Sequence, residues 1–188
     1  MIKNILAFIG AIVLVVVAIA YLQFGGMISK VGGLDKGALP AYMAMFEKVL
    51  KDGDPAKAMM IEAKIADDVT NDDAVEAIKA ITEDRNMRVT GDVKMFTKED
   101  AKPNEIKHAR IISVCNLTTA KIFLNYSRYY GGFMPCRIML VEYGNGDRYL
   151  VTMNLDLAIY GGKKLPPEML EAALKVKDTM ETLIRDGA

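Results

Sequence analysis

HARIISVCNLTTAKIFLNYSRYYGGFMPCRIMLVEYGNGDRYLVTMN, residues 108–154, decides how the chain folds. Its first residues alternate: Ala109, Ile111 and Ser113 share one face of a strand, and His108, Arg110, Ile112 and Val114 share the other. Asn116 stands where a helix N-cap belongs, and Gly131-Gly132 ends the helix expected over Leu117–Tyr130. Pro135 cannot continue that helix. Cys136–Tyr143 follows with apolar residues on both faces, Ile138 and Leu140 against Met139 and Val141, which predicts an interior strand. Asn145-Gly146 between two β-rich runs is a tight-hairpin signal, so Arg148–Asn154 is expected to pair antiparallel with it.

Outward from this stretch, Ala58–Ala66 has strand character, and Thr70 with Asp73 forms a capping-box pattern. The stripe Ala74, Val75, Ile78 and Ile81 then predicts a helix to about Asp84, and Met87–Phe96 predicts the next strand. Pro166-Pro167 opens a last helix whose buried stripe is Met169, Ala173, Val176, Met180 and Leu183. The order β-α-β-β-α-β-β-α predicts an α+β fold: one mixed or antiparallel sheet of about five strands backed by helices.

Ahead of this domain, Ile5–Phe24 is an apolar run interrupted only by Gly10 and Gln23, and at 1.5 Å per residue it spans about 30 Å, the hydrocarbon thickness of a bilayer. It reads as a single transmembrane helix. Tyr21 takes an interfacial position, and Lys3 with the Met1 amine gives a small positive flank. Ala18-Ile19-Ala20 resembles a small-x-small cleavage site, so a cleaved signal is the alternative, but the run exceeds an h-region of about 7–15 residues. The retained signal-anchor is preferred, with the body periplasmic or otherwise outside the cytoplasm. Gly25-Gly26 and Gly32-Gly33 bracket an expected flexible tether. Leu39, Tyr42, Met43, Phe46, Val49 and Leu50 then recur at three- and four-residue steps, an amphipathic helix whose apolar face is open to the bilayer, a partner or its own domain, with packing on its own domain expected first and a partner helix next. The expected organisation is residues 1–26 as anchor, 27–56 as tether and amphipathic helix, and 57–188 as the α+β domain.

Lys+Arg and Asp+Glu are equal at 24 each, so no net field draws the chain to a phosphate backbone, and nucleic acid is not an expected partner. Thirteen methionines and no tryptophan predict an adaptable core; the methionines are scattered and there is one histidine, which argues against a copper site.

The run Arg110-Ile111-Ile112-Ser113-Val114-Cys115-Asn116, followed by Met134-Pro135-Cys136-Arg137-Ile138-Met139-Leu140-Val141-Glu142-Tyr143, resembles the family of domain of unknown function 302 (DUF 302). The likeness covers about residues 58–184. It implies a compact α+β domain with one mixed sheet, able to form homodimers, and it implies no function. Members often place Pro directly after Cys-Asn, where this chain has Leu117.

The Cys-Asn turn is the candidate site. Cys115 ends a strand beside the N-terminus of the following helix, where unpaired N–H groups and the helix dipole favour a thiolate. Cys136 begins the strand expected next to it, so the two sulfurs are expected to converge. A structural disulfide, two inert buried thiols, and redox or metal work all stay open at this point. A metal set would draw on Cys115, Cys136 and His108, and lacks its fourth ligand unless Met134 or a second subunit supplies one. Tyr126 and Tyr130 with Arg110 or Arg137 form a candidate lining for an anionic or planar ligand, against a plainer reading as an amphipathic helix with wet hydroxyls. No Cys-x-x-Cys, P-loop, dinucleotide fingerprint or His-Glu-x-x-His occurs, and neither a catalytic constellation nor a cofactor is implied. The expected function is a membrane-anchored, non-catalytic binding or accessory module contacting a partner complex, a second copy or a small ligand. The alternative is a periplasmic thiol-redox or metal-handling protein using Cys115 and Cys136.

Overall fold

A computed structural model describes the backbone of residues 2–188 and the side chains of all but residues 2, 4, 5 and 27–29. Met1 and the Ile5 side chain, both part of the expected anchor, lie outside the described residues. Helix α1 (Ile2–Val31) contains a 21-residue apolar stretch, Leu6–Gly26, with none of it buried in the domain. It is long and apolar enough to cross a membrane or to act as a signal sequence. The expected tether starts later than its glycines suggest, because Gly25 and Gly26 continue the helix and the chain first turns at Gly32.

Helix α2 (Ala38–Asp52) ends at Gly53 in the left-handed region, and Asp54 caps a single turn, α3 (Pro55–Met59), by accepting from the backbone N–H of Ala56 and Lys57. That turn is why the first strand, β1 (Met60–Lys64), is shorter than its apolar run predicts: a capped Asp-Pro pair wins Ala58 and Met59 for helix. Thr70 and Asp73 form the expected capping box on α4 (Asn71–Asp84). Strands β2 (Arg88–Thr97) and β3 (Ile106–Cys115) follow, then α5 (Leu117–Tyr126), β4 (Cys136–Tyr143), β5 (Arg148–Met153), a one-turn helix α6 (Asp156–Tyr160), and α7 (Pro167–Asp186). α5 stops four residues early: Ser127 is extended (φ −159°) and caps a separate 3-10 segment, Arg128–Phe133, by accepting from Tyr129 N–H.

The sheet is open and fully antiparallel in the order β1-β5-β4-β3-β2, so β4 is central, as its two apolar faces predict. On one face Ile112, Ile138, Leu140 and Leu150 are fully buried against Ile78 of α4 and Leu183 of α7. Each such side chain contributes about 1.5–3 kcal/mol of transfer free energy. A second apolar cluster, Phe123, Ile159, Leu165, Met169 and Ala173, knits α5, α6 and α7 together at the end of the sheet where the Cys-Asn turn lies. The other face of the sheet leaves Met95, Phe96 and Ile106 exposed beside half-buried Met139 and Val141.

The apolar stripe of α2 does not pack on the domain as expected. Ala38, Ala41, Met45 and Val49 make the inner seam, while Leu39 (61% exposed), Met43 (46%), Phe46 (52%) and Leu50 (70%) face outward. Small residues permit the close approach: a Cβ at Gly37 would stand 3.0 Å from the Tyr160 ring, and the chain sits flush against α6.

Candidate functional site

Cys115 is the last residue of β3 and Asn116 turns the chain. The Asn116 side-chain oxygen accepts from Thr119 N–H at 2.9 Å and caps α5, while its amide donates to the Asn86 carbonyl at 3.0 Å. One side chain therefore fixes the start of a helix and ties it to the α4–β2 turn, where Asn86 is left-handed (φ 54°). Val114 pairs with Cys136 across β3 and β4, which sets the two cysteines on neighbouring strands at the same end of the sheet. Both open on one cavity of about 70 Å³, walled also by Phe123, Tyr130, Phe133 and Met134.

Among the described residues no Asp, Glu, His, Lys or Arg lines this cavity. Phe123 and Tyr130 meet edge-to-face at 5.1 Å, and Tyr130 donates a long hydrogen bond, 3.4 Å, to the Ala158 carbonyl. Tyr126 and Phe133 flank the same ring at 6.1 and 6.3 Å. Burial raises the Tyr130 hydroxyl above its ordinary value, with a smaller push from Tyr126.

The sulfurs are free. Burial pushes the Cys136 thiol up to about 11, the nearby Cys115 adds to the rise, and Arg137 pulls back less strongly than both. Burial also raises Cys115. The expected thiolate preference at the α5 N-terminus is thus reversed: Asn116 already occupies the N–H of Thr119, and apolar walls disfavour charge more than the helix end favours it.

The remaining sequence-predicted residues stand elsewhere. β3 runs ten residues, so at about 3.3 Å per residue Arg110 lies roughly 17 Å and His108 roughly 23 Å along the strand from Cys115. Arg110 forks onto Asp92 at 2.6 and 2.7 Å and reaches Asp72 at 3.1 Å; Lys79 joins at 3.2 Å from Asp92. The guanidinium holds the Asp92 carboxyl down at about 2, against a smaller opposing effect of burial. Arg110 is therefore committed to a strut between sheet and α4. His108 Nδ1 lies 3.2 Å from Thr97 Oγ1, opposite Glu142. Arg137 alternates to the far face of the sheet from Cys136, and Arg128 stacks outward on Tyr129 at 5.1 Å. The structure thus brings Cys115, Asn116, Cys136, Met134 and Tyr130 together, sets Tyr126 against the Tyr130 ring but not in the cavity wall, and leaves His108, Arg110 and Arg137 outside. Among the described residues no group of three His, Cys, Asp or Glu gathers as a metal set would.

Sequence reading missed Phe123, Met87 and Ile159 as cavity walls. Thr119, Ala120 and Phe123 fall at helical spacing and carried that signal; Ile159 had none, because α6 is a single turn.

The DUF302 model, a domain of unknown function, matches residues 62–186. The crystal structure of an uncharacterized conserved DUF302 protein from Bacillus stearothermophilus is similar, at 14% identity and a TM-score of 0.50, over 69% of this chain and 97% of that one. At that identity the likeness supports the fold alone. No curated protein matches the chain. With two thirds of its length under the family model and the same sheet-and-helix body, the chain belongs to the DUF302 family, the domain of unknown function 302.

Proposed function

We propose that this protein is a membrane-held, non-catalytic binding module whose residues 57–188 take a small apolar ligand, or the apolar end of a larger one, between Cys115, Cys136 and Tyr130. The carrying observation is the cavity's composition: aromatic, methionine and thiol walls without an ionisable carboxylate, imidazole or amine. Such a wall binds by excluding water and offers no proton relay. Its neutral thiols and the Asn116 amide supply the few polar contacts. α1 supports the anchoring part of the proposal, and the positive flank at Lys3 supports a body outside the cytoplasm, which protease accessibility in intact cells tests.

Methyl-labelled methionine tests the site on the full chain in lipid nanodiscs, with xenon as the probe, because about 70 Å³ is roughly half of a benzene-sized cavity. Saturable shifts at Met87 and Met134, without shifts at Met95, are the expected result. Ala120→Leu fills the cavity and should abolish them. Shifts that survive this substitution, or that never saturate, refute the proposal.

One observation favours the second reading, thiol chemistry: both sulfurs open on the same space. It requires Cys115 to react readily at neutral pH.

A further inference from the structure

Helix α2 is apolar on two faces, and among the described residues only one of them has a partner within the domain. At 100° per residue Leu39, Met43, Phe46 and Leu50 fall within an arc of about 60°, and the inner seam of Ala38, Ala41, Met45 and Val49 is centred roughly 125° away. No charged residue lies inside that outer arc. The helix is not free to roll and hide it. Tyr42 donates to the Gly161 carbonyl at 3.0 Å, Asp35 N–H donates to the Gly162 carbonyl at 2.8 Å, and the Asp35 carboxylate accepts from Gly37 N–H at 2.7 Å. Together they clamp residues 35–42 onto the end of α6.

Two quantities identify what covers the stripe. The first is reach. The apolar stretch of α1 ends at Gly26, and five more helical residues followed by six in turns, which even if fully extended would add only about 22 Å, allow at most about 30 Å before α2 begins. The stripe therefore starts close to wherever that stretch leaves the hydrocarbon. The second is area. The four outward side chains offer roughly 450 Å², about half of the ~800 Å² that each partner contributes to a stable protein interface. That is small for a second copy or a stable complex, and it suits an interfacial helix sunk about 5–10 Å into the headgroup boundary.

We propose that the outer stripe of α2 lies in the headgroup and upper acyl region of the bilayer that α1 crosses, so the domain is held by two contacts with lipid and has a fixed orientation on the membrane. This rests on the membrane reading of α1. Tyr42, with its ring beside the stripe and its hydroxyl on Gly161, links the lipid contact to α6, whose Ala158 and Ile159 wall the cavity. The mouth of the cavity is thereby kept at a set height above the lipid.

The chain has no tryptophan, so single substitutions report position directly. The full chain carrying Phe46→Trp or Leu14→Trp is reconstituted in phosphatidylethanolamine–phosphatidylglycerol vesicles with or without brominated acyl chains. With the ring at the headgroup boundary, F46W should lose roughly half its emission to brominated lipid, and L14W should lose more. Leu50→Trp, on the same arc, repeats the measurement independently of any misfolding at position 46. If L14W is quenched while F46W and L50W are not, the inference fails and the anchor stands. If L14W is also unquenched, the membrane reading itself fails and the inference with it. Emission from F46W that ignores brominated lipid but changes with protein-to-lipid ratio would assign the stripe to a second copy, which also overturns it.

Discussion

Iodoacetamide should modify Cys136 slowly on the folded chain and quickly once the chain is unfolded. Only the thiolate attacks, and burial pushes Cys136 up to about 11. At pH 7 that leaves about one molecule in 10⁴ ionised, against about 3% for an ordinary thiol near 8.5. Ionisation alone therefore slows the reaction on the order of 300-fold, before restricted access slows it further. Cys115 should also lag an unstructured thiol, because burial raises it too, though it lies nearer solvent than Cys136. The assay is mass spectrometry of peptides from full-length protein in detergent, quenched over a time course from pH 7 to pH 10. The Cys136 rate should climb about tenfold per pH unit across that range, and in 8 M urea both cysteines should react like free thiols. Modification of Cys115 at neutral pH at the speed of free cysteine would refute the reasoning: the end of α5 would then outweigh burial, and thiol chemistry would displace ligand binding as the function.

Asp92 is held down at about 2 by Arg110, so its folded value lies below its unfolded one; the stability it contributes is present above about pH 4 and is lost as pH falls towards 2. Partly exposed, the pair should be worth about 1 kcal/mol after solvent screening, read as a fall in the urea midpoint from pH 5 to pH 2.5 that Asp92→Asn flattens. Asn116→Ala removes both the α5 cap and the link to Asn86, and should cost about 1–2 kcal/mol by the same urea measurement. Ile138→Ala empties the centre of the sheet, where exposure is zero, and should cost about 2–5 kcal/mol. At Gly144 a Cβ would run into the backbone carbonyls of Ala101 and Lys102, so Gly144→Ala should destabilise the hairpin, visible as faster amide exchange in β4 and β5.

What the sequence disclosed were features that neighbours in the chain decide. Asn145-Gly146 set a hairpin, Thr70 and Asp73 closed a capping box, Asn116 capped α5, and the two-sided run from Cys136 to Tyr143 placed β4 in the middle. Arg110 resisted the same reading. Its partner Asp92 sits on a strand whose register is broken by irregularities between Val89 and Gly91 and between Lys94 and Phe96, so no count along the sequence brings the two charges together. The convergence of Cys115 with Cys136 was legible because it needs only that two adjacent strands meet antiparallel at one end. The exclusion of His108 follows from the seven residue steps of strand that separate it from Cys115, a distance the alternating run already contains.

Helix α2 marks the boundary most clearly. Periodicity says which residues share a face, and Leu39, Met43, Phe46 and Leu50 do share one. It does not say what that face meets. The deciding feature is the second, quieter seam of Ala38 and Ala41, which hydropathy undervalues because alanine buries little surface, yet which lets α2 approach α6 closely enough for Tyr42 to reach Gly161. Two helix faces competed for one docking surface, and the face that begins with Ala38 and Ala41 won, because small side chains in its first turns admit the backbone of residues 160–162 while Met45 and Val49 complete the seam. The larger side chains were left pointing away, where only a second environment can cover them. If Ala38, which is 2% exposed, were exchanged for leucine, the seam would open and α2 would have to lift or roll. Comparing F46W quenching by brominated lipid with and without Ala38→Leu therefore asks whether the inner seam sets the orientation of the outer stripe. Unchanged quenching would mean that α2 finds the bilayer without help from the domain.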